Sequence, residues 1–304
     1  MASRSSDEGP FSHLHPDIAH LATADRSTRK AAILTDCWVS YPAAEDAIQR
    51  LFELLEMPPR LRMPSVLFWA GSNMGKSHIQ TRFLSLVREQ HPSANQLTDD
   101  GKLWRAEGVL RFEINDELNE KRLYVDILRK LNAPRPEVTA YRLQDMVLTH
   151  LSAGRIRMII LDEIQRITEF RVRDQRIVLN VLKYLSNQLS ISIVGFGSGE
   201  AKALIESDPH LEERFEIVAL PAWTKKEKWV VEAVRERLRL IPLRKPTTVD
   251  RGLMEALFLH SGSLVGRLFG LIERTSVAVL EQEECLSAQL IEDVALRRRR
   301  GEHG

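Results

Sequence analysis

Apolar and polar positions follow two different rhythms along this chain. Up to about Trp223, short apolar runs alternate with longer stretches of helical spacing; from Thr224 onward only the helical spacing remains. The runs Val66–Trp69, Val109–Ile114, Met158–Leu161, Ile191–Val194 and Glu216–Leu220, each bounded by turn or polar residues, predict five strands. Between them, helices are predicted over Ala43–Glu56, Lys76–Gln90, Asn119–Leu131, Thr139–Leu151 and Asp174–Leu189. The first carries Ala47, Ile48, Leu51, Leu54 and Leu55 on one face, and the last carries Ile177, Val178, Val181, Leu182 and Leu185. The stretch from His91 to Gly108 is polar and shows neither period. Beyond Thr224, helices are predicted over Lys225–Leu240, Val249–His260, Ser263–Leu280 and Ser287–Arg298.

Strands alternating with helices, then helices alone, predict an α/β core with a parallel sheet followed by a small helical domain. Residues 1–30 are polar, with His13, His15 and His20 among Pro and Ser but no Cys or carboxylate pattern for a metal, so a flexible or partner-docking arm is expected there. The expected organisation is an arm (1–34), a core (35–222), a helical lid (223–298) and a basic tail end (299–304).

Chemistry concentrates where two strands end. Val66 to Trp69 runs into Ala70-Gly71-Ser72-Asn73-Met74-Gly75-Lys76-Ser77 and then directly into a helix. An apolar strand, a glycine-bearing turn and Lys-Ser at a helix start form a phosphate-binding loop: backbone N–H groups close on phosphate oxygens and the positive helix end faces the anion. Lys76 then reaches the β- and γ-phosphates and Ser77 supplies a hydroxyl to Mg²⁺. The pattern G-x-x-x-x-G-K-[ST] asks for glycine where this chain has Ala70, a residue less tolerant of positive φ. The second strand end, Met158-Ile159-Ile160-Leu161-Asp162-Glu163, delivers two carboxylates to the sheet edge where ligands of α/β proteins bind. Asp162 is expected to hold Mg²⁺ through water and Glu163 to orient or activate the attacking water. Ile191 to Val194 leads into Gly195-Phe196-Gly197-Ser198-Gly199, which completes neither G-x-S-x-G nor G-x-G-x-x-G; Ser198 is placed to sense the γ-phosphate or its water.

Composition changes this picture little. Of 304 residues, 43% are hydrophobic and 28% charged, as in ordinary globular proteins, and the net charge is +1. Arg297 to Arg300 form a basic block that is either a contact for nucleic acid or an acidic partner, or a solvated helix end. Cys37 and Cys285 stand far apart and suggest neither a zinc site nor a disulfide framework, which fits a reducing cytoplasm. No apolar run reaches membrane-spanning length, and the first eight residues lack an apolar segment behind a basic start, so neither membrane insertion nor export is expected.

With both phosphate motifs, a polar strand end, an arginine before the fifth strand and a helical C-terminal domain in this order, the chain resembles the AAA+ ATPases. Tyr41-Pro42, Arg62-Met63-Pro64, Gly71 to Ser77, Leu161-Asp162-Glu163 and Leu211 to Phe215 followed by Leu220-Pro221-Ala222-Trp223 resemble, more narrowly, the TniB/TnsC-type transposition regulators, over about residues 35–280. The resemblance implies an AAA+ P-loop core with a five-stranded parallel sheet and a helical lid. It implies ATP and Mg²⁺ as cofactors, with Lys76 and Ser77 on phosphate and metal, Asp162 on the metal, Glu163 as catalytic carboxylate and Ser198 as first sensor. Arg214 would be an arginine finger offered to a neighbouring subunit, Arg267 a second sensor, and Tyr41 and Pro42 neighbours of the adenine. As partners it implies double-stranded DNA, further copies of the chain in a ring or helical filament, a transposase and a target-selection protein. Lys121 and Arg122, then Arg171, Arg173 and Arg176, are the candidate DNA contacts, each also readable as a solvated helix face. A helicase loader or replication initiator, and a nucleotide-switched scaffold with little hydrolysis, remain as alternatives; Glu163 beside Asp162 speaks against the last.

Overall fold

The computed structural model describes residues 10–90, 96–97, 103–106, 108–115 and 119–299. Two helices, α1 (Pro16–Ala19) and α2 (Arg26–Leu34), come first. Then follow α3 (Pro42–Glu56), β1 (Ser65–Trp69), α4 (Lys76–Gln90), β2 (Gln96–Leu97), β3 (Leu103–Ala106), β4 (Val109–Glu113), α5 (Glu120–Lys130) and α6 (Ala140–Ala153). The alternation continues through β5 (Met158–Asp162), α7 (Val172–Leu189), β6 (Ser192–Gly197), α8 (Gly199–Glu206), α9 (Pro209–Glu212) and β7 (Phe215–Ala219). Four helices close the chain: α10 (Lys228–Arg239), α11 (Arg251–Ser261), α12 (Val265–Ala278) and α13 (Ala288–Arg299). The chain divides into two compact units, Ala43–Pro221 and the remainder, which joins residues up to Pro42 with those from Ala222 onward.

In the first unit the described strands lie in the order β2-β3-β4-β5-β6-β1-β7. The five expected strands, β4, β5, β6, β1 and β7, are parallel. β5 and β6 are buried along their whole length, which is why they read as unbroken apolar runs instead of alternating ones. In register, Phe68 of β1 stands beside Phe196 of β6, and their rings stack 5.0 Å apart. The stretch after α4, expected to be irregular, carries β2 and β3, which extend the sheet, β3 antiparallel to β4 and β2 antiparallel to β3. Strands this short span too few residues to show a period. Helix α8 was likewise missed, because Gly197-Ser198-Gly199 reads as a loop while Ser198 stands at the N-cap.

From residue 10 onward, the expected flexible arm is corrected by the second unit; residues 1–9 lie outside the described residues. Arg29 of α2 is fully buried and donates to the Pro242 carbonyl (3.0 and 2.8 Å) and to both carboxylate oxygens of Glu284. In return Arg237 of α10, 1% exposed, donates to the Ile33 carbonyl at 3.1 Å and to Glu273 at 2.9 Å. The N-terminal helices are thus part of the helical unit, tied in by buried charge that a hydropathy pattern does not register. His13 bonds the Leu243 carbonyl at 3.0 Å, and His15 accepts from the Asp17 N–H as cap of α1. Residues 300–304 of the basic tail, including Arg300, lie outside the described residues.

Burial opposes the charge on Glu284, but hydrogen bonds from Arg29 and from the backbone N–H groups of Glu281 and Arg244 outweigh it and hold the carboxyl at about 2, below its ordinary 4.5. A depressed carboxyl stabilises the fold above the unfolded value and loses that contribution as pH falls through the folded one. Stability of the helical unit is therefore expected to fall between about pH 4.5 and 2. Glu284→Gln, which leaves Arg29 buried without its counter-charge, is expected to cost about 3–5 kcal/mol at neutral pH in urea unfolding.

Candidate nucleotide site

All five parallel strands point their carboxyl ends to one edge of the sheet, and the first and third of them in sequence, β1 and β5, deliver the two predicted motifs there. β1 ends at Trp69 and α4 begins at Lys76, so Ala70 to Gly75 form the whole loop. Two of its residues are left-handed, Asn73 at φ 61° and Gly75 at φ 84°. Asparagine is among the side-chain-bearing residues that visit this region most readily, and glycine does so without penalty. Ala70 does not take positive φ; its N–H donates to the Gly197 carbonyl at 3.0 Å and continues the β1–β6 ladder. Glycine's conformational freedom is not needed there, which removes the objection to alanine. Lys76, 9% exposed, lays its ammonium on the loop and donates to the carbonyls of Ala70 and Gly71 at 3.0 Å each. Ser77 follows, exposed, in the first turn of α4, whose N-terminal end faces this edge.

Asp162 closes β5 and is 6% exposed. Its Oδ1 accepts the Glu163 N–H at 3.1 Å and its Oδ2 accepts from Arg111 of β4 at 2.8 Å. Glu163 is left-handed, at φ 53° and ψ 40°, a conformation that costs a residue with a side chain about 1–2 kcal/mol and turns the chain sharply off the strand. Its carboxylate accepts from the Gln165 amide, whose oxygen in turn accepts the Ser198 N–H at 3.2 Å. Gln165 therefore joins the acidic turn to the end of β6. The Ser198 hydroxyl itself donates to Glu200.

Among the described residues no three His, Cys, Asp or Glu side chains form a self-sufficient metal cluster. Mg²⁺ fits such a site, since it takes one or two protein oxygens and completes its shell with phosphate and water. Ser77 and Asp162 supply oxygens of that kind.

A family model, that of the bacterial TniB protein, matches residues 29–225. The chain belongs to the TniB family. No curated protein matches it. Among solved structures it is similar to the Orc1 protein of Aeropyrum pernix in complex with DNA, at 16% identity and a TM-score of 0.61, over 89% of this chain and 69% of that one. Cdc6p of Pyrobaculum aerophilum is similar at 13% identity and 0.59, over 82% and 66% of the two chains. The Walker-type ATPase of Pyrococcus abyssi follows at 15% and 0.52, over 84% and 72%. At such identities the likeness is one of fold, and the fold is that of the AAA+ P-loop ATPases.

The other residues singled out from the sequence are spread over this TniB-family chain. Arg214 precedes β7 at the opposite sheet edge from Lys76; its backbone carbonyl accepts from Ser65 and its guanidinium donates to Asn187 at 2.9 Å, not to the adjacent Glu212 or Glu213. Arg267 is exposed in the first turn of α12, and Tyr41 and Pro42 belong with it to the helical unit. Tyr41 is 7% exposed and packed against Trp223, Trp229 and Trp38, with ring centroids at 5.1, 6.0 and 6.5 Å; burial pushes its hydroxyl up to about 12. Lys121 and Arg122 open α5, Lys121 exposed and Arg122 within 3.4 Å of Asp126. Arg171, Arg173 and Arg176 are exposed at the start of α7.

Sequence reasoning missed Arg111 and Gln165, which touch the two carboxylates of the site. An arginine inside an apolar strand was the available signal for the first. The tight join has a checkable cost: a Cβ on Gly197 would meet Ala201 at 2.5 Å, and Ile164 and Gln165 at 2.9 Å each. Gly197→Ala is expected to lower stability by about 1–3 kcal/mol through overpacking, read as a shift in urea midpoint. An unchanged midpoint would mean that the Ile164–Gln165 turn moves freely.

Proposed function

We propose that this chain is an ATP-hydrolysing, DNA-binding regulator of transposition, which assembles on duplex DNA as a ring or helical filament and recruits or activates a transposase together with a target-selection protein. The observation that carries the ATPase reading is the delivery of Lys76 and Ser77 by β1 and of Asp162 and Glu163 by β5 to one edge of a parallel sheet. The TniB family supports the transposition reading, and the likeness to Orc1 solved with DNA supports a DNA partner.

In the reaction ATP + H₂O → ADP + phosphate, Lys76 leaves the loop carbonyls for phosphate oxygens, and the N–H groups of the loop and α4 hold the anion. When bound, Mg²⁺ neutralises charge on the β- and γ-phosphoryl oxygens, and Ser77 and Asp162 are the residues that would hold it. Glu163, steadied by Gln165, orients the water and takes its proton. Ser198 senses the γ-phosphate once its hydroxyl turns from Glu200, and Arg267 is the second sensor. Arg214 completes the site of a neighbouring copy. Lys121, Arg122, Arg171, Arg173 and Arg176 contact DNA phosphates, giving sequence-tolerant binding.

Glu163→Gln tests the mechanism. Turnover is expected to drop at least about 100-fold, while ATP-bound assemblies persist on duplex DNA in electron micrographs. Turnover and DNA residence both equal to wild type would overturn the mechanism. Of the basic residues, Lys121 has the simpler role: Lys121→Ala is expected to weaken DNA binding and reduce its salt slope by about one. Titrations at low and high salt that superimpose on wild type would remove it from the interface.

A further inference from the structure

Asp162, the residue read as the metal's protein carboxylate, has a cationic partner from the neighbouring strand. In the β4–β5 register Glu113 stands beside Asp162 and Arg111 beside Ile160, so the Arg111 side chain reaches along the strand to the carboxyl edge. There its Nη2 donates to Asp162 Oδ2 at 2.8 Å, while Oδ1 takes the Glu163 N–H. Both oxygens of the carboxylate are engaged. The two side chains are 22% and 9% exposed, so solvent screens this pair less than an ion pair on the open surface.

The strand does not need this arginine for cohesion. Arg111 is half-buried, while Leu110 and Phe112 on either side of it are buried. The β4 and β5 ends are tied together independently by Arg166, which donates to Glu113 at 2.7 Å and to the Ile114 carbonyl at 3.1 Å. What Arg111 adds is a positive charge on the one buried carboxylate that the metal would use.

We propose that Arg111 is a positioning residue that competes with the divalent cation for Asp162 and sets the free Mg²⁺ concentration at which the nucleotide site fills. A cation drawn to Asp162 meets the guanidinium as a like charge. It must displace Nη2 from Oδ2 or bind against its repulsion, and the negative phosphates of a nucleotide arriving at Lys76 favour that displacement. Metal and nucleotide are thereby coupled through one side chain that touches neither in the resting arrangement. The inference rests on the nucleotide reading of the site.

The test titrates Mg²⁺ against wild-type protein with a fluorescent mant-labelled ATP and reads the half-saturating Mg²⁺ concentration of binding, not turnover. In Arg111→Gln that concentration is expected to fall about fivefold. Arg111→Met, which keeps an unbranched apolar stem at this position, is expected to do the same and serves if the Gln variant does not fold. In an Asp162→Asn background the same substitutions are expected to produce no shift, because their effect runs through that carboxylate. A half-saturation equal to wild type in the folded variant overturns the proposal, as does a shift that survives undiminished with Asp162→Asn. Wild-type protein that binds no mant-ATP at any Mg²⁺ concentration overturns the nucleotide reading and this inference with it.

Discussion

The hydrogen-bonded ladder β1–β6–β5 is the constraint on which the candidate site depends. Parallel pairing holds adjacent strands about 4.8 Å apart and aligns their carboxyl ends, so the loop after β1, Ser198 after β6 and Asp162 at the end of β5 are spaced by backbone geometry. Side chains then seal the ladder. Gly195 allows Leu67 and Ile164 to come within 3.1 Å of where its Cβ would lie, and Gly197 does the same for the Gln165 turn. The glycines of β6 are therefore packing glycines. They let the acidic turn lie close against the neighbouring strand, and the bond from Ser198 N–H to Gln165 is a product of that closeness.

Polar groups at the edge are held by one another. Lys76 rests on loop carbonyls, Asp162 on Arg111 and the Glu163 N–H, Glu163 on Gln165, and Arg166 on Glu113. Groups oriented before a ligand arrives need little reorganisation at the moment of reaction. The cost is local strain, visible in the left-handed Glu163 and Asn73. In the helical unit the same economy appears without a site: buried Arg29 meets carbonyl and carboxylate acceptors from distant segments through Nε, Nη1 and Nη2, and buried Arg237 meets two more through Nη2.

What the sequence made legible follows from period and local chemistry. Met158 to Leu161 is an uninterrupted apolar run because its strand is covered on both faces, and Asn73 and Gly75 stand where the loop turns left-handed. Both signals are local, so both motifs and the five parallel strands could be read directly. The misses have a common physical origin in distance along the chain. Arg29 finds Glu284 and Arg111 finds Asp162 across sequence separations that no window spans, so neither partner is visible in the local pattern. The short β2 and β3 carry too few residues to register a period, and the N-terminal helices are held by the remote bonds of Arg29 and of Arg237.

The position of Arg214 carries a consequence for assembly. It precedes β7 and Lys76 follows β1; these strands are parallel neighbours, so the two cations lie at opposite ends of the sheet, about 16 Å of strand apart. Arg214 is held at its end by Asn187 and by the bond from Ser65 to its own carbonyl, and it does not reach the Ala70–Gly75 loop of its own chain. Any part it takes in phosphoryl chemistry is a part played toward another copy. A two-fold interface that paired Arg214 edges with each other would set like charges together and leave both phosphate loops uncovered. In the proposed assembly, a head-to-tail contact would bring the Arg214 edge of one copy to the Asp162 and Glu163 edge of the next. Such a heterologous contact leaves one free edge at each end of any open array, and it resolves either by closing into a ring or by continuing as a helical filament.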